Sequence, residues 1–320
     1  MRFCSAQSHP AAASNYHLQI DHMLTLFDRE APKSISIACH DAGATNIIQE
    51  WVKRAPEARV RAHLGGPAVE IWTRAFPTAV NYGLDQALDE SDLLITGTGW
   101  ASHLEHDARA EGIRKRIPTV AVIDNWVNYK ARFVREGVYI FPDEIWVTDR
   151  FALSLATDEF PRIPIRLLPN YYLEAKVETI HAIQSERGDT NSANLLYVLE
   201  PIREVWNRKE RLPGEFQALN YFMKNRRKIS DFDLNIILRP HPSESPDKYS
   251  EWVDNQSSNI QISQNTSIEN DIARSSYVVG CQTYALVVAL MAGKNVFSSL
   301  PDYAPQLPLP YQGIQELRNL

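Results

Sequence analysis

The segment LRPHPSE, from Leu238 to Glu244, combines two side chains that suit an anion. An apolar run delivers Arg239 and His241 to the end of a predicted strand, and the flanking prolines restrict the backbone around the histidine. Arginine offers a rigid fork of donors to phosphate oxygens, and histidine adds a hydrogen bond or a positive charge. The segment therefore predicts phosphate binding. The alternative is that Arg239 pairs with a surface carboxylate while His241 caps a loop.

A second segment, Tyr277 to Pro301, places a polar turn between a strand and a helix. The strand ends at Gly280, and Gln282 and Thr283 precede an apolar helix. A helix N-terminus presents unpaired N–H groups and the positive end of the helix dipole, both of which favour a phosphate. Glu200, which follows the predicted strand LLYVL, is a further candidate for the same ligand. The alternative for Thr283 is a simple N-cap.

Together the two segments resemble the carboxy-terminal half of GT-B glycosyltransferase-like proteins. The similarity lies in R-P-H-P after one strand and in V-V-G-x-x-T-x-x-L-x-x-A-x-x-x-G-K after another. It is greatest to the polysialyltransferase, CDP-glycerol glycerophosphotransferase (teichoic-acid type) and capsule polysaccharide biosynthesis groups. The resemblance implies that His241 and Thr283 hold the phosphates of a nucleotide-activated donor.

Val288 departs from this pattern. Many GT-B transferases carry a glutamate five residues beyond the serine or threonine of the turn, where it accepts the donor ribose hydroxyls, and Val288 occupies that position. A valine side chain cannot accept hydrogen bonds. Three interpretations remain open: another residue recognises the ribose, the donor is not an ordinary nucleotide sugar, or the site has lost its activity.

The loop CHDAGATN, from Cys39 to Asn46, stands at the first predicted strand-to-helix turn. It lacks the G-x-G-x-x-G spacing of a dinucleotide fingerprint. A direct-displacement sugar transfer needs a base for the proton of the acceptor hydroxyl, and the resemblance implies that this loop supplies it. We predict Asp41 as the catalytic base, with His40 as the second candidate. The alternative is that Asp41 only caps the following helix.

Two other segments, TGTGW and DNWVNY, follow predicted strands of the same half. Their polar side chains suit sugar hydroxyls, and their indole rings suit the apolar faces of a sugar. The predicted acceptor-binding residues are Thr98, Trp100, Asp124, Asn125 and Trp126. The alternative is that the tryptophans pack between structural elements.

The sequence predicts neither a metal nor a cofactor. HLEHD, from His103 to Asp107, spaces two histidines and an aspartate along one helical face, but no further ligand is evident, and Glu105 is assigned to a solvated surface. Positive charge and N–H groups aimed at a departing diphosphate can take the place of a metal. We therefore expect a metal-independent GT-B-type enzyme, with a nucleotide-activated sugar as co-substrate.

The elements that must position these residues alternate between short β-branched runs and helical stretches, which indicates parallel sheets covered on both faces. We predict two Rossmann-like α/β domains facing across a cleft, as in GT-B proteins. Residues 1–175 form the acceptor domain, with an irregular extension over 1–32, and residues 176–320 form the donor-binding domain. Other predictions are a short helix around His17 to Asp28, a polar crossover over Glu174 to Asn194, and an irregular tail over the last twenty residues.

The composition excludes several classes of protein. The 320 residues are 44% hydrophobic and 22% charged, which is globular usage rather than that of a disordered chain or a disulfide scaffold. The 33 basic and 39 acidic residues give a net charge of −6, which favours binding neither to nucleic acid nor to anionic lipid. The cysteines are far apart in sequence, and no run is apolar enough to span a membrane, so we expect a cytoplasmic protein.

The sequence thus predicts a glycosyltransferase-like enzyme of surface polysaccharide biosynthesis. It would transfer a sugar, or a related phosphate-activated group, from a nucleotide-activated donor to a glycan or lipid-linked acceptor, and peripheral membrane association is compatible with that role. Two alternatives remain open. One is a nucleotide-sugar hydrolase or epimerase of the same fold, and the other is a non-catalytic protein that binds a glycan or a nucleotide.

Overall fold

The computed structural model describes residues 32–187, 194–256 and 259–320 of the chain. These residues divide into two compact units, one ending at Asn170 and the other beginning at Tyr171. Each unit contains a six-stranded parallel sheet whose strands alternate with helices along the chain. The prediction of two Rossmann-like α/β domains is confirmed. The helix predicted around His17 to Asp28 lies outside the described residues, as does nearly all of the predicted extension.

The first unit contains eight described strands and five α-helices. The strands are β1 Ser34–Cys39, β2 Arg59–Leu64, β3 Leu93–Thr96, β4 Thr119–Val122, β5 Val134–Arg135, β6 Val138–Tyr139, β7 Glu144–Val147 and β8 Ile165–Leu167. The helices are α1 Ala42–Val52, α2 Gly66–Ala75, α3 Leu84–Ala87, α4 Leu104–Arg114 and α5 Arg150–Glu159.

The strand order of the first sheet is β2-β1-β3-β4-β7-β8, while β5 and β6 form a separate antiparallel hairpin. The chain pairs β1 with β2 on one side and then with β3 on the other, so connections leave these neighbouring strands in opposite directions. Such a switch point opens a crevice at the carboxyl ends of the strands. All six residues of β1 are buried, as expected for a central strand of a parallel sheet.

The second unit repeats this plan. Its strands are β9 Asn194–Val198, β10 Asn235–Arg239, β11 Ile260–Ile262, β12 Tyr277–Gly280, β13 Asn295–Ser298 and β14 Ile314–Glu316. Its α-helices are α6 Tyr171–Arg187, α7 Gly214–Asn225, α8 Ser250–Asp254, α9 Ile268–Ala273 and α10 Tyr284–Met291. The strand order is β11-β10-β9-β12-β13-β14, which puts the switch point between β9 and β12.

Aromatic side chains fill one face of the second sheet. Tyr197 of β9 packs against Phe222 of α7, with ring centroids 5.0 Å apart, in a cluster that also buries Leu238 and Tyr249. This burial of apolar surface holds α7 on the sheet and fixes the ends of β9 and β10. Glu200 and Arg239, two of the predicted ligand-binding residues, stand at those ends.

Two segments differ in detail from the sequence prediction. The polar crossover is helical as far as Arg187, and its helix α6 belongs to the second unit, where Lys176 forms an ion pair with Glu269.

The prediction of an irregular tail is wrong at its end. Ile314 begins the edge strand β14 and is buried, and Leu317 is buried in the core that contains Tyr197. These two apolar residues hold the end of the tail on the second sheet and its core.

Candidate active site

Asp41 lies in the loop after β1, at the crevice of the first sheet. Its Oδ1 accepts a hydrogen bond of 3.2 Å from the backbone N–H of Ala44, so Asp41 caps helix α1. Its Oδ2 faces the loop after β3, because a β-carbon built on Gly99 would lie only 2.4 Å from that oxygen. Capping therefore accounts for one carboxylate oxygen of Asp41, while the other is directed at a second loop of the crevice.

Glu105 is the buried partner of this aspartate. It lies in the first turn of α4 with none of its surface exposed, and its Oε1 accepts a hydrogen bond of 3.0 Å from the backbone N–H of His40. Its Oε2 is buried and has no hydrogen-bond partner within the described parts of the chain. The sequence analysis assigned Glu105 to a solvated surface, and that assignment is wrong.

Three glycines, Gly43, Gly97 and Gly99, make room for the carboxylates. A β-carbon would lie 1.7 Å from Asp124 Oδ2 if built on Gly43, and 2.3 Å from Glu105 Oε1 if built on Gly97. A real β-carbon almost never approaches another atom so closely. The two glycines of TGTGW were the signal in the sequence that could have identified Glu105, because they indicate a close approach by another group.

The three carboxylates interact electrostatically. The pKa of Asp41 is raised to about 6, chiefly by burial and secondly by the charge of Asp124. Burial, and then the charge of Asp41, raises the pKa of Glu105 to about 8. Both shifts have the direction expected when carboxyl groups leave water and repel one another. At neutral pH the cluster therefore contains a carboxylate and a neutral carboxylic acid side by side.

Arg132 contacts three of the five predicted acceptor-binding residues. Its guanidinium donates to Asp124 Oδ1 at 2.9 Å and to Thr98 Oγ1 at 3.0 Å. Its carbon Cζ lies 5.2 Å from the centre of the Trp100 ring, which is half exposed. The structure thus brings Thr98, Trp100 and Asp124 together around an arginine that the sequence analysis did not identify.

The other first-unit candidates have different surroundings. Asn125 Oδ1 accepts from the backbone N–H of Trp126 at 2.7 Å, and the buried Trp126 donates its indole N–H to Asp149 Oδ2 at 3.0 Å. The indole of Trp126 is therefore held in the packing between β4 and α5. The ring of His40 lies against Gly66, where a β-carbon would come within 2.6 Å of its Nε2.

In the second unit, the switch point brings Glu200 to the turn before α10. Glu200 Oε1 accepts a hydrogen bond of 2.8 Å from the backbone N–H of Gln282, and Thr283 Oγ1 caps α10 through the N–H of Ala285 at 3.3 Å. Burial raises the pKa of Glu200 to about 7. A carboxyl group therefore stands at the N–H groups where the sequence analysis expected a phosphate.

Arg239 is tied into the loop that precedes α9. Its guanidinium forms a 2.5 Å ion pair with the fully buried Asp271 and also donates to the carbonyls of Asn265, Thr266 and Ser267. The sequence analysis considered a surface carboxylate as the alternative partner, whereas the partner is a buried one. These bonds fix the loop between β11 and α9 against the carboxyl end of β10.

His241 is exposed two residues beyond Arg239. Its Nδ1 accepts from the backbone N–H of Ser243 at 3.2 Å, so the proton of the neutral ring is assigned to Nε2. Partial burial lowers the pKa of His241, against the opposing charge of Glu244. His241 can therefore donate a hydrogen bond from Nε2 as a neutral ring. Val288 is buried within α10 and has no acceptor to offer.

The HLEHD segment lies within the described ranges, residues 32–187, 194–256 and 259–320. Within them, no cluster of three or more histidine, cysteine, aspartate or glutamate side chains could hold a metal ion. In the HLEHD segment, His106 instead pairs its Nε2 with the carbonyl of Val138 at 3.1 Å. No helix of these ranges is both long and apolar enough to cross a membrane.

Neither a family model nor a curated protein sequence matches the chain, but solved structures do. UDP-GlcNAc 2-epimerase from Neisseria meningitidis, bound to UDP-GlcNAc, is 10% identical with a TM-score of 0.59, over 87% of this chain and 84% of that one. The S. aureus MnaA–UDP structure is 12% identical at a TM-score of 0.56, over 83% and 78%. The glycotransferase of kitacinnamycin is 12% identical at 0.52, over 86% and 81%. At these identities the likeness shows a common GT-B-type fold.

Proposed function

We propose that this protein is an enzyme that acts on a nucleotide-activated sugar. In the leading form of the proposal it is a metal-independent glycosyltransferase of surface polysaccharide biosynthesis. It transfers a sugar, or a related phosphate-activated group, to a glycan or lipid-linked acceptor. The second unit binds the donor, and the first unit supplies the acid–base chemistry. The observation that carries the proposal is the pair formed by the half-buried Asp41 and the fully buried Glu105 at the crevice of the first sheet.

Asp41 has the properties of a general base in this reaction. The acceptor hydroxyl attacks the anomeric carbon, the bond from that carbon to the phosphate oxygen breaks, and the diphosphate leaves with the electron pair. Asp41 takes the hydroxyl proton. A base works best when its pKa lies near the operating pH, and the pKa of Asp41 is raised to about 6. Thr98, Trp100 and Asp124, gathered around Arg132, supply hydrogen-bonding groups and a ring face for the acceptor sugar.

The donor phosphates are assigned to His241 and the Gln282–Thr283 turn. His241 offers an N–H from Nε2, and the turn opens an eight-residue helix. Arg239 contributes positive charge and holds the neighbouring loop, while Glu200 is positioned at the turn. Two of the similar structures were determined with UDP-GlcNAc or UDP bound, and this supports the choice of a nucleotide-activated donor.

Calorimetric titration of the full chain with UDP, CDP, GDP and ADP tests donor binding. We expect one of them to bind, and we expect His241→Ala to weaken that binding by about tenfold or more, because a hydrogen bond to a charged phosphate is lost. His181→Ala is the matched control, since His181 is an exposed histidine of the same unit. The absence of binding by all four nucleotides, or equal binding by wild type and His241→Ala, contradicts the proposal.

An epimerase or hydrolase is the second candidate. Such reactions use a base and an acid together, and the ionised Asp41 beside the neutral Glu105 provides both. Incubation with activated sugars but no acceptor separates the candidates, with the products followed by NMR. A transferase leaves the sugars nearly unchanged, an epimerase inverts one carbon, and a hydrolase releases free sugar. Nucleotide binding with no turnover under any of these conditions favours a non-catalytic binding protein.

A further inference from the structure

We infer that Asp41 and Glu105 work as one proton-sharing pair, in which Glu105 holds the proton and thereby leaves Asp41 charged and ready to accept one from a ligand hydroxyl. Glu105 is then a positioning residue, because it acts on the substrate only through Asp41. The inference deepens the proposed function and rests on it for the identity of the hydroxyl. The pairing itself is a property of the folded first unit.

The first argument is the geometry of the two carboxyl groups. Asp41 Oδ2 and Glu105 Oε2 lie 2.4 Å and 3.1 Å from the same point, the position that a β-carbon of Gly99 would take. Glu105 Oε2 is buried and lacks a hydrogen-bond partner within the described residues. An ionised carboxylate oxygen in that setting has no compensating donor, whereas a protonated one is itself a donor. Asp41 Oδ2 is the acceptor directed at the same space.

The second argument is the balance of charge around the pair. Two buried arginines, Arg109 and Arg132, face the cluster, and Arg132 forms an ion pair with Asp124. Arg109 lies on the same helix as Glu105 and directs its hydrogen bonds to Thr96 and to backbone carbonyls. Neither guanidinium donates to Asp41 or to Glu105. One proton on Glu105 removes a buried negative charge and supplies a donor to Asp41.

The remaining neighbours do not remove this need for a proton. Cys39 of β1 is fully buried, and burial followed by the charge of Glu105 raises its pKa, so it stays a neutral thiol. Arg135 donates to the carbonyl of Gly99 and to those of Ser102 and Val134, not to either carboxylate of the pair. The backbone N–H of His40 reaches Oε1 of Glu105 and leaves Oε2 unsatisfied.

The pair has a defined proton cycle. At rest it holds one proton, on Glu105, and Asp41 is ionised. When a ligand hydroxyl becomes a nucleophile, its proton moves to Asp41 and both carboxyl groups are neutral. Loss of one proton to solvent from the half-buried Asp41 restores the resting state. No oxidant, reductant or metal takes part.

The pairing is tested by an NMR pH titration of the full chain with isotope-labelled aspartate and glutamate carboxyl carbons. We expect two coupled steps, one near about 6, to which burial and the charge of Asp124 raise the pKa of Asp41, and one near about 8, to which burial and the charge of Asp41 raise the pKa of Glu105. In Glu105→Gln we expect the upper step to disappear, because the amide cannot ionise, and the lower one to stay near its wild-type position, because Glu105 is already neutral when Asp41 titrates. Two independent steps at ordinary carboxyl values overturn the inference, and the wild-type titration decides this even if the variant does not fold.

The functional role is tested by the pH profile of kcat/KM. The wild-type protein is expected to lose activity below about pH 6, where the pair gains its second proton, and again above about pH 8, where the pair loses its first. In Glu105→Gln the amide oxygen can still accept from the backbone N–H of His40, and the amide N–H₂ can donate to Asp41. This variant should therefore retain the loss of activity at acid pH and no longer show the loss at alkaline pH. Glu105→Leu, which keeps neither group, should lose activity at all pH values. Identical profiles for wild type and Glu105→Gln contradict the role of Glu105.

The outcomes separate the inference from the proposed function. Two coupled carboxyl steps together with no nucleotide binding refute the proposed function alone. Nucleotide binding and turnover with independent carboxyl steps refute the pairing alone.

Discussion

Gly99 packs directly against the carboxylate of Asp41, at a distance that no other residue type can keep. A β-carbon on Gly99 would be 2.4 Å from Asp41 Oδ2 and 3.1 Å from Glu105 Oε2, where even a methyl group must displace an oxygen. The second glycine of TGTGW is thus explained by the approach of two acidic side chains. Its absence of a side chain defines the space that the pair shares.

Gly99→Ala is therefore expected to impair the first unit selectively. Displacing the two carboxylates should cost about 1–3 kcal/mol of unfolding free energy and most of the activity, because overpacking shifts the proposed base. Nucleotide binding, assigned to the second unit, should be unchanged. Gly83→Ala is the matched control, since its β-carbon would have one ordinary neighbour, at 3.6 Å, and its φ is −65°. Chemical denaturation and calorimetry supply the two measurements, and equal stability of both variants would refute the expectation.

Asp41→Asn should separate catalysis from capping. Asparagine caps a helix about as well as aspartate, so the unfolding free energy should change little. The amide cannot accept a proton at neutral pH, and the turnover rate should fall by on the order of 100- to 10,000-fold. Asp92→Asn is the control. Asp92 also accepts hydrogen bonds from backbone N–H groups, those of Lys33 and Ser34, but it lies at the amino ends of the strands and not at the carboxyl ends where Asp41 lies. Retention of turnover in Asp41→Asn would exclude Asp41 as the base.

The stability of the protein should depend on pH through Glu105. Its ordinary pKa is 4.5 and its folded pKa is raised to about 8. Below pH 4.5 both the folded and the unfolded forms hold the proton of Glu105. Between pH 4.5 and about pH 8 only the folded form keeps it, so the free energy of unfolding falls as the pH rises through this window. Asp41, with a pKa raised from 3.8 to about 6, adds to the fall in the same direction.

Glu105→Gln removes this dependence, because the amide does not titrate. The melting temperature of the variant relative to wild type should therefore rise across the window and level off above about 8. Glu111→Gln on the same helix is the control. Arg114 lowers the pKa of Glu111, so the relative stability of that variant should not rise with pH through this window. A constant difference between wild type and Glu105→Gln across the window contradicts the prediction.

Binding of a nucleoside diphosphate should also depend on pH, through Glu200. Burial raises the pKa of Glu200 to about 7, and its carboxyl group contacts the N–H of Gln282 at the proposed phosphate site. Affinity should fall as the pH rises through that value, by at most about tenfold per pH unit, because an ionised Glu200 repels the phosphate.

Glu200→Gln should bind equally well on both sides of neutrality. Burial lowers the pKa of His241, so that ring titrates on the acid side of Glu200. Calorimetry at several pH values supplies the measurement. A wild-type affinity that is independent of pH would show that the phosphate does not bind beside Glu200.

The sequence predicted the architecture because the periods of its apolar residues are local signals. The strand Tyr277–Gly280 follows directly from its β-branched run and its terminal glycine. The sequence also predicted that Asp41 and the Gln282–Thr283 turn follow strands of parallel sheets, and the structure places both after such strands, while their roles stay predictions. The prediction of an irregular tail was wrong at Ile314, because the pairing of β14 with β13 depends on a distant strand.

The partners of the site residues could not be predicted in the same way. The burial of Glu105 depends on His40 and Gly97, which come from other elements, and the ion pair of Arg239 joins residues 32 positions apart. Arg132 lies in a short 3-10 turn without a periodic pattern, yet it connects Asp124 with Thr98. Such contacts depend on the tertiary arrangement of loops, which a single sequence does not report.

The bonds of Arg239 have a consequence for the thermodynamics of ligand binding. Because its guanidinium already holds the carbonyls of Asn265, Thr266 and Ser267 and the buried Asp271, the loop between β11 and α9 is fixed against the end of β10 before any nucleotide arrives. Association then forfeits little conformational entropy there, and more of the interaction energy becomes affinity. In the proposed function, the second unit is in this respect preorganised for its donor.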